Sequence, residues 1–183
     1  MKKVTVLLAD GFEEIEALTV VDLLRRAKVY VDTVSITDDY TVRGAHGIPV
    51  QTEDLITEID FKESDMIGLP GGMPGTTNLK EDENVRKAVQ EAYDDGRYVA
   101  AICAAPTILA DMGLLKGKRA TCYPDMESEI EDAYLTGAPV ATDENIITSQ
   151  GVGTAIDFAL KLIEVLISEE KAVEIADSIV YQR

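Results

Sequence analysis

Residues 99–106 read VAAICAAP: an apolar run ends at Cys103, and a proline follows three positions later. Helices tolerate proline in their first turn, because the N–H that proline lacks would have no partner there. The stretch therefore predicts a buried strand, a sharp turn at Cys103 and a helix that begins near Pro106. Ala101 and Ala105 stand two residues on either side of Cys103, the spacing that small residues have around the nucleophile elbow of hydrolases.

The same alternation of apolar strands and amphipathic helices extends over the rest of the chain. Helical spacing of apolar residues marks residues 85–92 and 156–166, and a helix over 13–27 carries acids in its first turn and arginines in its last. Strands that alternate with helices predict an α/β fold with a mostly parallel central sheet covered on both faces. Besides 99–102, strands are predicted at residues 4–8, 30–35, 66–69, 119–122 and 146–149.

Residues 41–53 break this pattern. They contain two glycines and Pro49 between short segments that suit the two arms of a hairpin. Proline has no backbone N–H to donate within a central sheet, so we expect this hairpin at a sheet edge. No repeat, low-complexity tract or long linker interrupts the chain, and 183 residues suit one hydrophobic core. We therefore expect one domain over residues 1–183.

The excess of acidic residues argues against two classes of binding partner. The chain has 34 acidic and 17 basic residues, a net charge of -17, whereas nucleic acids and anionic membranes bind clustered lysine and arginine. We expect neither partner. The first apolar run, residues 4–8, is too short for a signal peptide or a membrane span, so a cytoplasmic protein is expected. In that reducing compartment Cys103 and Cys122 should be free thiols, and with His46 as the one histidine no metal site is expected.

Two interpretations of Cys103 remain open on the residues alone. At a strand-to-helix turn the sulfur would lie over free N–H groups of the helix, which would lower the pKa of the thiol and make it reactive. The alternative is a core cysteine, because free cysteine is among the most buried residue types. Cys122 lies inside the predicted strand over 119–122, and for it we expect packing only.

A reactive thiol needs a proton partner at the edge of the sheet where the carboxyl ends of parallel strands meet. Glu16 follows the first strand between apolar neighbours, so partial burial would raise its pKa toward a value suited to proton transfer. Residues 70–75 (PGGMPG) form either an oxyanion hole or only a tight turn. The Gly-x-Gly at 151–153 lacks the third glycine of a dinucleotide site, and no nucleotide cofactor is expected.

Four segments together resemble the ThiJ/PfpI superfamily, and within it the branch of the parkinsonism-associated protein deglycase and its bacterial relatives. The likeness covers nearly the whole chain and is specific in combination. The segments are residues 10–16 (DGFEEIE), 69–72 (LPGG), 101–106 (AICAAP) and 148–154 (TSQGVGT).

This resemblance implies a flavodoxin-like three-layer sandwich, a homodimer and an enzyme without a cofactor. Cys103 would be the nucleophile, and a protonated Glu16, hydrogen-bonded to it, would be the general acid and base. By the same matching, the backbone N–H groups of Gly72 and Ala104 would form the oxyanion hole.

The family's chemistry implies a substrate class. Members of this branch act on reactive dicarbonyls, converting methylglyoxal to lactate without metal or glutathione, and on glycated cysteine, lysine and arginine side chains. One alternative is a redox sensor or chaperone in which Cys103 is oxidised to a sulfinic acid held by Glu16. A peptidase or amidase is the weaker alternative, because the protease-like branch has histidine directly after the cysteine and this chain has Ala104.

Three further residues have roles that only the resemblance implies. Tyr123 stands where the closer branch often has histidine, and a phenol with a pKa of about 10 is a poor base at neutral pH. His46 in the hairpin would lie at the dimer contact and line the partner's pocket, or be an exposed histidine without a role. Arg26 would pair near that interface, or be an ordinary arginine at a helix end.

Overall fold

The computed structural model describes residues 1–182, with eleven strands and six α-helices among them. The strands are β1 (Lys3–Leu8), β2 (Tyr30–Ser35), β3 (Thr41–Arg43), β4 (Pro49–Gln51), β5 (Asp54–Leu55), β6 (Met66–Leu69), β7 (Tyr98–Ile102), β8 (Arg119–Ala120), β9 (Tyr134–Leu135), β10 (Val140–Asp143) and β11 (Ile146–Ser149). The helices are α1 (Glu14–Arg26), α2 (Gly75–Glu81), α3 (Glu83–Asp94), α4 (Pro106–Asp111), α5 (Ala155–Leu166) and α6 (Glu169–Ser178).

Seven strands form the central sheet, in the order β10-β11-β7-β6-β1-β2-β5. Every neighbouring pair is parallel except β10 and β11, which run antiparallel at one edge. The carboxyl ends of β1, β6, β7 and β11 therefore open on the same side of the sheet, where parallel sheets gather their functional groups. The mostly parallel central sheet predicted from the sequence is confirmed.

Helices cover both faces of this sheet. On one face α1, α5 and α6 contribute Leu24, Phe158 and Ile175 to a buried apolar cluster, and on the other face α2, α3 and α4 pack against a second cluster. Strands that are covered on both sides consist of consecutive apolar residues, which is why these strands could be predicted from the sequence. The three-layer sandwich is confirmed. Among residues 1–182, no helix combines the length and apolar character that crossing a bilayer requires.

Helix α1 begins and ends within one residue of its predicted limits. Glu13 is the N-cap, and its carboxylate accepts the N–H groups of Ile15 and Glu16, which the first turn of a helix cannot satisfy itself. Because Glu13 fixes the start of α1 directly after β1, Glu16 lies in the first turn of the helix at the carboxyl edge of the sheet.

The predicted hairpin is present as β3 and β4, which pair with each other outside the central sheet. Backbone hydrogen bonds attach it to the loop after β1: Gly11 donates to the Arg43 carbonyl at 2.8 Å, and Ala45 donates to the Phe12 carbonyl at 2.8 Å. Pro49 is the first residue of β4, which is not part of the central sheet, so the N–H that proline lacks is not needed for that sheet's hydrogen bonds. The hairpin therefore covers the loop that precedes α1.

The strand predicted over 119–122 is wrong in length and in place. Only Arg119 and Ala120 are extended, and they pair with β9 in a separate two-stranded sheet, while β10 takes the edge position beside β11. The N–H of Thr121 donates to the hydroxyl of Thr148 at 3.0 Å instead of to a strand carbonyl, so the ladder stops there. Cys122 lies outside any strand and is fully buried, which confirms the packing expected for it.

Candidate active site

Cys103 occupies a sharp turn between β7 and α4. Its φ is +64°, in the left-handed region that non-glycine residues rarely adopt and that costs on the order of 1 kcal/mol or more. Two hydrogen bonds hold this conformation: the Cys103 N–H donates to the Ser149 carbonyl at 3.0 Å, and the Tyr123 N–H donates to the Cys103 carbonyl at 2.8 Å. Pro106 is the first residue of α4, as predicted. The strand, turn and helix inferred from residues 99–106 are therefore present.

The Glu16 carboxyl is fully buried beside Cys103. Its Oε2 accepts the Gly71 N–H at 2.9 Å, and its Oε1 has no hydrogen-bond partner among residues 1–182. The carboxyl as a whole interacts with the Cys103 thiol. Burial raises the pKa of this carboxyl to about 7, the charge of Glu13 adds to the rise, and the hydrogen bonds with Cys103 and Gly71 oppose it. The raised pKa expected for Glu16 is confirmed.

The pKa of the Cys103 thiol departs from the sequence prediction. Burial and then the charge of Glu16 raise it to about 12, and the N–H groups of Ala104 and Gly72 oppose this rise without cancelling it. The prediction of a lowered pKa considered only the helix N-terminus and left out the carboxylate in contact with the sulfur. With Glu16 ionised, a second negative charge beside it is unfavourable, so the pair releases one proton near pH 7 and holds the other far into the alkaline range.

Gly71 and Gly72 bring a backbone loop against both reacting groups. A Cβ on Gly71 would lie 2.6 Å from the Cβ of Cys103 and 2.7 Å from Oε2 of Glu16. Gly72 has a φ of +91°, and a Cβ there would lie 2.4 Å from the Glu13 nitrogen. Only glycine permits this approach, which directs the Gly72 N–H to the Cys103 sulfur.

Gly151, two residues after β11, also lies close to the sulfur. An ideal Cβ on Gly151 would lie 3.7 Å from Cδ2 of Tyr123, 3.8 Å from Oε1 of Glu16 and 3.9 Å from Sγ of Cys103. Tyr123 is exposed, and one edge of its ring approaches Gly151 near the two reacting groups. The sequence predicted only a glycine-rich entry to α5 at Gly151, because nothing local indicates which groups a strand end will face.

Residues 2–165 match the model of the DJ-1/PfpI family. The chain belongs to this family. Protein dj-1beta of Drosophila melanogaster is 35% identical over 177 residues, which cover 96% of this chain and 95% of that protein. The glutathione-independent glyoxalase DJ-1 of Schizosaccharomyces pombe is 34% identical over 182 residues, covering 93% of this chain and 94% of that protein.

Protein DJ-1 homolog B of Arabidopsis thaliana is 40% identical over 181 residues, which cover 98% of this chain but only 41% of that longer protein. Solved structures of the family have the same fold. Oxidized Toxoplasma gondii DJ-1 is 36% identical with a TM-score of 0.95, and each chain covers 100% of the other. Drosophila melanogaster DJ-1beta is 34% identical with a TM-score of 0.95, covering 100% of this chain and 99% of that one. The flavodoxin-like fold that the resemblance implied is confirmed.

Two of the residues considered from the sequence have partners away from the sulfur in this DJ-1/PfpI chain. His46 donates its backbone N–H to Oε1 of Glu14 at 2.7 Å, and its Nδ1 lies 2.8 Å from Oε2 of the same carboxylate. This carboxylate raises the pKa of the His46 imidazole. Arg26 is paired with Asp22 at 2.9 Å on the outer side of α1.

One group of potential metal ligands occurs in the described part of the chain. Atoms of Glu13, Glu14 and His46 lie within 4.8 Å of one another. The carboxylate of Glu14 already accepts two hydrogen bonds from His46, and that of Glu13 caps α1, so each side chain has a structural role in the protein alone.

Proposed function

We propose that this protein is a cysteine-dependent enzyme that converts small reactive dicarbonyls, methylglyoxal in particular, into hydroxy acids without a cofactor. The observation that carries the proposal is that the buried Glu16 carboxyl interacts with the Cys103 thiol, which also receives the N–H groups of Gly72 and Ala104. A carboxyl with a pKa of about 7 is suited to accept and return protons at neutral pH. The glyoxalase name of the Schizosaccharomyces pombe relative supports the same chemistry.

The first step is addition of the Cys103 sulfur to the aldehyde carbon. The Glu16 carboxylate takes the thiol proton as the carbon–sulfur bond forms, and this proton passes to the carbonyl oxygen to give a hemithioacetal. The N–H groups of Gly72 and Ala104 stabilise the negative charge, first on the sulfur and then on that oxygen.

The second step moves a proton between neighbouring carbons. Glu16, again a carboxylate, removes the hydrogen from the carbon bonded to sulfur and returns a proton to the next carbon, through an enediol. This isomerisation needs no external oxidant, and its product is a thioester of lactate with Cys103. Water then cleaves the thioester, which releases lactate and restores the thiol.

Protein deglycation would share the first covalent intermediate. Early adducts of dicarbonyls on cysteine, lysine and arginine side chains retain a carbonyl or hemiacetal-type carbon that Cys103 could attack, and the same proton transfer by Glu16 would follow. The small dicarbonyl is the substrate we propose first, because it requires no room for a protein partner at the site.

The proposal is tested by incubating the protein with methylglyoxal, in the presence of a chelator and without added glutathione, and measuring lactate. We expect lactate to form in proportion to enzyme. No lactate, or lactate only when metal or glutathione is added back, would reject a cofactor-free glyoxalase.

A redox sensor is the second candidate function, favoured by the oxidized form in which the Toxoplasma gondii relative was solved. In this chain the N–H groups of Gly72 and Ala104 and the Glu16 carboxyl surround the sulfur, and they would hold the oxygens of a sulfinate on Cys103. Intact-mass measurement after mild peroxide should then show two oxygens added at Cys103 before any at Cys122. Equal oxidation of both cysteines would count against a sensing role.

Peptide hydrolysis is less well supported. Cysteine peptidases use an imidazole to activate the thiol, and this chain has Ala104 after the cysteine and a single histidine, His46, hydrogen-bonded to Glu14.

We also propose that the protein is a homodimer that buries the exposed apolar side chains of Ile15, Leu18 and Ile48. Sedimentation equilibrium checks this, and a monomer at all concentrations would reject it.

A further inference from the structure

The turn at Cys103 is held by residues outside its own segment. Its φ of +64° is unfavourable for a residue with a side chain, and such a conformation persists only where the surrounding structure fixes it. The Cys103 N–H donates to the carbonyl of Ser149, the last residue of β11, at 3.0 Å. The position of the reactive cysteine therefore depends on what fixes the end of β11.

Two hydroxyl groups fix that end of the strand. Ser149 is fully buried, and its Oγ donates to the Pro139 carbonyl at 2.7 Å. Because a hydroxyl has one proton to donate, the 2.7 Å contact between Oγ of Ser149 and Oγ1 of Thr154 uses the proton of Thr154. Oγ1 of Thr154 accepts the Gly151 N–H at 3.1 Å. The contacts form one chain of hydrogen bonds that runs from Gly151 to Pro139.

This chain joins parts of the protein that are separate along the sequence. Pro139 precedes β10, Ser149 ends β11, and Thr154 is the residue before α5. The hydroxyl of Thr154 stands in the middle of the chain, where its neighbours on both sides polarise it and strengthen its hydrogen bonds. Loss of this one hydroxyl would free the Gly151 loop and the Ser149 side chain from each other.

We propose that Thr154 is a positioning residue: through Ser149, its hydroxyl holds Cys103 in the conformation that reacts. No step of the proposed reaction uses a side chain of residues 148–154, and this role gives one to Thr154. Its effect on turnover rests on the proposed function, whereas its effect on the Cys103 backbone does not.

Thr154→Val is the direct test, because valine has nearly the shape of threonine and no hydroxyl. We expect kcat for methylglyoxal to fall about 10-fold or more, since a small displacement of a reacting atom slows the chemical step. KM should stay within about 3-fold of the wild type, because the change removes no contact with the substrate. Thr154→Ser retains the hydroxyl and should keep kcat within about 3-fold of the wild type.

Thr52→Val is the matched control. The hydroxyl of Thr52 is also buried and donates to the Tyr40 carbonyl at 2.9 Å, but it lies just before β5, at the opposite edge of the sheet from β10. Its loss removes a buried hydrogen bond without touching the chain that leads to Cys103. We therefore expect kcat of Thr52→Val to equal that of the wild type.

Amide hydrogen exchange gives a readout that does not depend on turnover. In Thr154→Val the Cys103 N–H should exchange about 10-fold faster or more, because its acceptor on Ser149 is less firmly held, and in Thr52→Val it should exchange as in the wild type. Ser149→Ala breaks the same chain and replaces Thr154→Val in both measurements if that variant does not fold. If both side chains act through one chain, the double variant should lose no more kcat than the worse single variant.

Wild-type kcat in Thr154→Val, or unchanged exchange of the Cys103 N–H, would overturn the inference. An equal loss in Thr154→Ser would do the same, because it would assign the effect to packing and not to the hydroxyl. Losses that add in the double variant would also overturn it. If the wild type does not turn over methylglyoxal, the proposed function fails, and exchange of the Cys103 N–H alone then decides the role of Thr154.

Discussion

The buried carboxyl of Glu16 interacts with the thiol of Cys103, and its Oε1 atom has no hydrogen-bond partner among residues 1–182. A buried carboxylate oxygen without a hydrogen-bond donor destabilises the fold. A carboxyl that shares a proton with a neighbouring thiol avoids this cost, whether the proton is on the oxygen or on the sulfur. The two side chains therefore act as one unit that carries a single negative charge above about pH 7. The proposed chemistry and its tests follow from this coupling.

Replacement of Glu16 by glutamine should abolish proton transfer and preserve the fold. Glutamine has nearly the same shape and can still accept the Gly71 N–H, but it cannot exchange a proton with the thiol or the substrate. We expect turnover of methylglyoxal to fall at least ~10²-fold, with little change in circular dichroism. Glu14→Gln, a second buried carboxyl of the same helix, is the control. Equal losses in the two variants would contradict the role of Glu16.

The raised pKa of Glu16 also predicts a pH dependence of stability. Between pH 4.5 and about 7 the folded protein keeps a proton on Glu16 that the unfolded chain has released, so the free energy of unfolding should fall as pH rises. Because this carboxyl is fully buried, its raised pKa corresponds to a decrease in the free energy of unfolding on the order of 3 kcal/mol. Denaturant unfolding of wild type and Glu16→Gln at several pH values measures it. The difference between them should grow up to about pH 7 and then level off, and a constant difference would contradict the prediction.

Gly71→Ala should separate the two reacting groups. Its Cβ would lie 2.6 Å from the Cβ of Cys103 and 2.7 Å from Oε2 of Glu16, so one of these side chains or the loop must move. Overpacking of this kind destabilises by about 1–3 kcal/mol, and we expect turnover to fall more than ~10²-fold. Thermal unfolding and lactate formation measure the two effects, with Gly153→Ala as the unhindered control. Wild-type turnover in Gly71→Ala would show that the contact does not align the pair.

The single histidine offers a spectroscopic test of the contact between the hairpin and α1. Because Glu14 accepts hydrogen bonds from His46 and raises the pKa of its imidazole, the imidazolium should persist above pH 6.5 and lose its charge only at higher pH. NMR titration of the one imidazole should therefore give a midpoint above 6.5 in the wild type and a lower one in Glu14→Gln. Identical midpoints would contradict the contact. Arg26→Gln, on the same helix but paired with Asp22, should leave the midpoint unchanged.

The sequence predicted the central sheet well because strands covered on both faces must be apolar throughout. Residues 30–35, 66–69 and 146–149 were assigned with the limits that the structure has. The turn at Cys103 was predictable for a local reason as well, since Pro106 can occupy only a few positions in a helix. Patterns that depend on near neighbours along the chain were therefore reliable.

Features that depend on distant neighbours were not predictable in the same way. The segment 119–122 has the composition of a strand, but β10 pairs with β11 at that edge, and Thr121 bonds to Thr148 instead. The pKa of Cys103 was predicted in the wrong direction, because its carboxylate neighbour comes from another element of the fold. The position of Gly151 beside the sulfur needed three-dimensional coordinates, since a glycine at a strand end has many structural explanations.

The rate of lactate formation from methylglyoxal, compared between Cys103→Ala and Cys122→Ala, tests the central claim most directly. Both variants remove a thiol, but only one thiol lies beside Glu16 and the N–H groups of Gly72 and Ala104. We predict that Cys103→Ala forms no lactate above the rate without protein, and that Cys122→Ala forms it within about 3-fold of the wild-type rate once its fold is verified. Lactate formation by Cys103→Ala at the wild-type rate would contradict the account.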